Sequence, residues 1–130
     1  MASGVTQRFL DALAKLERDR EVEELVGLYG DEAEIGNVVS PRRFAGPEGA
    51  RDFWTTYRGT FDTMESTFSN VIVADGRSAL EWTTTGTSPD GNRIEYAGVS
   101  ILEIEGETIT RFWAYFNPSL LGHQLEGRTT

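Results

Sequence analysis

Apolar residues change their spacing once along the chain, from helical to alternating, and the change divides it into two kinds of structure. Over residues 5–16, Val5, Phe9, Ala12, Leu13 and Leu16 recur every three or four positions, with Arg8, Asp11, Lys15 and Glu17 on the other side, which predicts a first amphipathic helix. Ser3 is placed to cap it. After the charged joint Arg18-Asp19-Arg20, the residues Val22, Leu25, Val26 and Tyr29 repeat the pattern in a short second helix with Gly30 as its stop. The charge run over 17–24 reads as a solvated face. Residues 33–39 predict a brief strand interrupted by Gly36 and Asn37, followed by a Pro-Arg-Arg loop. Gly46-Pro47-Glu48 opens a third helix, proline at its first position and an acid in its first turn, with Ala50, Phe53, Trp54, Tyr57 and Phe61 as its apolar stripe.

From Glu65 onward the pattern alternates, and the turn signals Asp75-Gly76, Pro89-Asp90-Gly91 and Glu105-Gly106 punctuate four strands at about 65–74, 78–88, 92–104 and 108–117. Helices and one short strand followed by a meander predict an α+β domain, with three N-terminal helices packed on one face of an antiparallel sheet. Leu80, Trp82 and Thr84 share a parity, so burying them turns Glu81 away from the helices. Ala97, Val99 and Ile101 alternate, but Leu102 and Ile104 continue on the opposite parity, which predicts a bulge or a change of surroundings near the end of that strand. In the last strand both parities are bulky: Phe112, Ala114 and Phe116 face the helices, and Trp113 and Tyr115 face outward. Small Ala114 leaves room between two phenyl rings. A gap lined by Trp54, Tyr57, Trp82, Phe112 and Phe116 is an apolar cavity of the kind small ligands use; the other reading is an ordinary aromatic core.

Composition narrows the function. At 130 residues the chain suits one domain, with a core over about 5–121 and a loosely held tail over 122–130. A formal charge of −9 repels phosphate backbones and anionic lipid, and Arg42-Arg43 is the only beginning of a basic patch, so neither nucleic acid nor membrane is an expected partner. The absence of cysteine removes thiolate chemistry and sulfur-ligated metals. The one histidine, His123, has no partners at metal-ligand spacing, so no metal or other cofactor is expected; a mobile base at a pocket mouth is its other reading. No apolar run approaches the roughly 18 residues of a membrane span and no signal peptide is evident, so a cytoplasmic location is expected.

Two N-terminal helices, a short strand, a Gly-Pro-x-Gly-x-x-x-Phe-Trp helix and a meander ending Ile-x-Arg-Phe-Trp-Ala-Tyr-Phe-Asn-Pro resemble the SnoaL-like branch of the nuclear transport factor 2-like superfamily over about residues 5–121. The resemblance implies a cone of curved sheet and helices around a deep pocket, commonly paired as a homodimer through the sheet's outer face, here Trp113 and Tyr115. It hosts polyketide cyclases, steroid isomerases, epoxide hydrolases and dehydratases, so the fold does not select a reaction. The carboxylate base of the isomerases falls on Asn37, whose amide takes up no proton at neutral pH, and their second carboxyl falls near Ala97. The Asp-Arg-Asp set of the epoxide hydrolases falls on Trp82, Thr84 and Ala114, none of which ionises. Asn117 stands where cyclases often carry aspartate. Relatives often place a pocket-side tyrosine where Tyr29 lies, at the end of helix two.

These residues define three readings. The first is a binding domain for a small hydrophobic, ring-containing molecule, with Trp54, Tyr57, Leu80, Trp82, Thr84, Phe112, Ala114 and Phe116 as its ligand-contacting set. The second is a cofactor-independent enzyme of cyclase, isomerase or hydratase type working through the phenols of Tyr29 and Tyr57 and the amide of Asn37, which otherwise serves a turn beside Gly36. The third is a protein-interaction module using the outer face of Trp113 and Tyr115. Arg42 and Arg43 either attract an anionic ligand to the cavity entrance or form a solvated loop, and Asp52 reads as surface.

Overall fold

The apolar stripe of the first helix is buried along its length in the computed structural model, which describes residues 2–117. Helix α1 (Ala2–Asp19) buries Val5, Phe9, Ala12, Leu13 and Leu16 as the spacing requires. Strand-forming sequence takes over sooner than expected after it. Helix α2 is only Glu23–Val26, ended by Gly27, and strand β1 (Tyr29–Asn37) starts at the residue that completes the second helical stripe. The reason is tertiary. Ile109 N–H donates to Leu28 O at 2.8 Å and Tyr29 pairs with Ile109, so the sheet captures backbone that local spacing had assigned to a helix. Strand β2 (Phe44–Ala45) leads into α3 (Gly46–Gly59), which starts on Gly46-Pro47 as predicted.

The four alternating stretches are β3 (Thr63–Ala74), β4 (Arg77–Thr87), β5 (Arg93–Glu105) and β6 (Thr108–Phe116). Gly76, Gly91 and Gly106 take positive φ at the three turns, the conformation for which glycine is suited. The strands form one curved, unclosed sheet in the order β2-β1-β6-β5-β4-β3, with helices on one face. The meander is antiparallel throughout, but β1 lies parallel to β6. A parallel neighbour needs a long crossover, which α3 and the meander supply. Helix α1 packs on β3, β4 and β5, and α3 on β1 and β2. No helix among the described residues is long and apolar enough to cross a membrane.

The bulge expected in β5 lies opposite it. β5 keeps one register with β4 from Arg93 to Glu103 and buries Ile94, Tyr96, Ser100, Leu102 and Ile104 on a single parity, with Ala97 exposed and Val99 and Ile101 on the outer face. The extra residue is Thr110 in β6, between the pairs Ile104–Ile109 and Glu103–Arg111. It lets Ile109 and Phe112 both enter the core although their parities differ. The outer face of β6 also differs from expectation. Trp113 is only 9% exposed, because its ring lies on Gly36 and the guanidinium groups of Arg43 and Arg111 sit over it at 4.7 and 4.9 Å. Glu34 pairs with both arginines. Gly36 does not interrupt β1 but pairs with Trp113 inside it, and it is glycine because any Cβ there would meet the indole. Tyr115, 46% exposed, is the open ring of that face.

Candidate functional site

The core is built as two aromatic groups that do not close on each other. One gathers Phe9, Phe53, Trp54 and Phe112 beneath α1 and α3; the other gathers Phe61, Trp82 and Tyr96; Tyr57, Phe68 and Phe116 touch both. The rings meet edge to face, as in Trp54–Phe112 at 5.0 Å, Trp82–Tyr96 at 5.2 Å and Tyr96–Phe116 at 5.4 Å. This geometry favours the ring quadrupoles and holds the walls stiffly apart. Between the groups lies a cavity of about 490 Å³. That volume lies within the range of small-molecule sites.

Of the residues expected around a ligand, Trp54, Tyr57, Trp82, Thr84, Phe112, Ala114 and Phe116 line this cavity, and Asn37 does too. Leu80 shares the parity of Trp82 and Thr84 but is fully buried in the core and is not a lining residue. Tyr29 is also buried away from the lining, on β1 instead of a helix end, and its hydroxyl accepts a hydrogen bond from Trp54 Nε1 at 3.0 Å. Burial raises its phenol far above the ordinary value, so it stays neutral and holds the indole in place. Asn37 lines the cavity and also fixes a turn: its Oδ1 accepts from Val39 N at 2.9 Å and Ser40 N at 3.3 Å. Arg42 lies on the exposed rim with Val39 and Ser40 and stacks over Phe44 at 4.3 Å, whereas Arg43 is taken up by Glu34 and Trp113. Glu81, Asp52, Ala97 and Asn117 are exposed and outside the lining, and His123 lies outside the described residues.

One residue of this region escaped the sequence reading. Glu17, assigned to a solvated charge run, is 5% exposed. Its Oε1 accepts from Ser66 N at 2.8 Å, and its Oε2 accepts from Ser66 Oγ at 2.6 Å and from Tyr57 OH at 3.4 Å. Ser66 Oγ in turn meets Thr84 Oγ1 at 2.7 Å. Ser66, Tyr57 and Thr84 line the cavity, so the carboxylate stands one hydroxyl behind its wall. The signal was present: Glu17 falls four residues after Leu13 and eight after Phe9, on the buried stripe of α1. Arg58, from α3, donates Nε to the carbonyls of Leu16 and Glu17 at 3.2 and 3.0 Å and fixes the end of the helix.

Burial is the main cause that holds the Glu17 carboxyl above its ordinary 4.5, opposed by the Ser66 and Tyr57 hydrogen bonds and the Arg58 charge. Just above pH 4.5 the folded chain therefore keeps a proton that the unfolded chain has lost, so this group's contribution to stability falls as pH rises through that window. Wild type minus Glu17→Gln stability, from urea titrations between pH 4 and 7.5, is expected to decline with rising pH above 4.5 and to be flat below it. A difference that climbs with pH would mean that the hydrogen bonds outweigh the burial. Tyr57 and Tyr96 are raised by burial as well and remain neutral phenols.

Comparison with solved structures identifies the same fold elsewhere. A hypothetical protein of ketosteroid isomerase-like fold from Catenulispora acidiphila, solved with trimethylamine, aligns at a TM-score of 0.80 and 16% identity over 93% of both chains. TerC, co-crystallised with polyporic acid, aligns at 0.80 and 16% over 94% of this chain and 98% of that one. An LEH-like epoxide hydrolase from M. tuberculosis aligns at 0.74 and 15% over 95% and 91%. At these identities the likeness is one of fold. No protein of curated function matches the sequence. The model of the SnoaL-like domain matches residues 6–112, most of the described chain, and the protein belongs to that family.

Proposed function

We propose that this protein binds a small hydrophobic, ring-containing molecule in the cavity between the two aromatic groups. The observation that carries the reading is the 490 Å³ space walled by Trp54, Trp82, Phe112 and Phe116, with Ala114 between the last two on β6. Flat apolar walls reward a ring by contact area, at about 25 cal/mol per Å² buried. The described lining is mainly aromatic and hydroxyl-bearing, a surface suited to holding an apolar ring. Two of the three tryptophans line the cavity and the third is held outside it by arginines. Titration with a panel of fused-ring compounds is expected to change tryptophan emission, and the change is expected to persist in Trp113→Phe. A panel that leaves emission unaltered in both proteins would overturn the reading.

A further inference from the structure

The hydroxyl groups at the Glu17 end of the cavity have a direction. A carboxylate only accepts hydrogen bonds, and Glu17 is met by the Ser66 N–H, the Ser66 hydroxyl and the Tyr57 phenol, with the Arg58 charge beside it. Ser66 has a single hydroxyl proton, and at 2.6 Å from the carboxylate oxygen that proton is committed to Glu17. The contact between Ser66 Oγ and Thr84 Oγ1, at 2.7 Å, then requires Thr84 to be the donor. Thr84 has thus spent its proton on Ser66 Oγ and Tyr57 its own on the Glu17 carboxylate, and what they retain for the cavity they line is lone pairs.

We infer that this end of the cavity is an acceptor site organised by Glu17 through Ser66, Thr84 and Tyr57, and that it takes a hydrogen-bond donor on the ligand ring, a hydroxyl or N–H. The inference rests on the binding reading above and adds the polarity of the ligand to it. A ketone or ether at the same place would set lone pairs against lone pairs, leaving a buried acceptor unsatisfied. Discrimination of this kind exceeds what hydrophobic walls alone provide, because the penalty falls on the unmatched compound.

The test compares naphthalene, 2-naphthol and 2-methoxynaphthalene by equilibrium dialysis at pH 7.5 against the wild type, Glu17→Gln and Thr84→Val. Wild type is expected to hold 2-naphthol about tenfold more tightly than either of the others, the scale of one hydrogen bond to a charge-linked acceptor. In both variants that preference is expected to fall to within about twofold, because glutamine can donate as well as accept and valine cannot take part. Should Glu17→Gln fail to fold, the near-isosteric Thr84→Val decides. If wild type binds all three compounds alike, the acceptor site is wrong and the binding pocket stands. A preference that survives in the folded variants overturns the role of Glu17, and failure of every compound to bind overturns the pocket itself.

Discussion

Arg58→Ala is expected to destabilise the fold by about 3 kcal/mol, seen as a lower urea midpoint with an unchanged slope. Arg58 is 6% exposed and serves carbonyls from two helix ends. Its Nε donates to Leu16 O and Glu17 O, one terminal nitrogen donates to Phe61 O at 2.8 Å and the other to Asp62 O at 3.2 Å. Arg20 also reaches Phe61 O and Asp62 O, and its backbone N–H donates to Leu16 O at 3.0 Å, so the loss falls mainly on Glu17 O at the end of α1 and on the Glu17 carboxylate, which loses the positive charge beside it. Lysine at 58 should recover only part of the loss, since a compact ammonium cannot span what a planar fork spans. Against a total stability of about 5–15 kcal/mol for such a domain the effect is large. A midpoint shift equivalent to under about 0.5 kcal/mol would mean that water serves those carbonyls as well as the guanidinium does.

Ala114→Phe should weaken binding of fused-ring compounds by about a hundredfold and leave the protein folded. Ala114 sits on β6 between Phe112 and Phe116, pairs with Asn37 and Ser100 on the two neighbouring strands, and lines the cavity. A phenyl group built there enters existing space instead of a filled core, so the usual penalty of overpacking is reduced. The ligand then forfeits the burial of roughly one ring, about 2–3 kcal/mol, which is the hundredfold. Dialysis of naphthalene against Ala114→Phe reads the effect, with circular dichroism to verify folding. Unchanged affinity would place the binding surface elsewhere.

Much of this architecture was written in local patterns. The helical spacing of Val5, Phe9, Leu13 and Leu16, the Gly46-Pro47 start of α3 and the three glycine turns of the meander located elements to within a few residues, because each depends on periodicity and backbone freedom alone. The facing of β6 was legible for the same reason: Phe112, Ala114 and Phe116 turn inward and Trp113 and Tyr115 outward. Tyr29 shows where that logic stops. Its spacing from Leu25 and Val26 is helical, yet hydrogen bonds to a strand eighty residues later decide its conformation.

Glu17 and Leu80 show the same limit at the site. A carboxylate inside a charge run looks solvated until a strand brings Ser66 and a helix brings Tyr57 and Arg58 against it. Leu80 has the right parity for the cavity, but which inward residues line space and which are covered depends on how α1 lies over β4. By itself, then, the sequence determined the elements, their amphipathic faces and a surplus of aromatic rings around one small residue, since these follow from spacing and side-chain size. Only the tertiary structure decided that the rings stand apart around a cavity and that a buried charge polarises one end of it, because void and burial arise from the approach of segments distant in the chain.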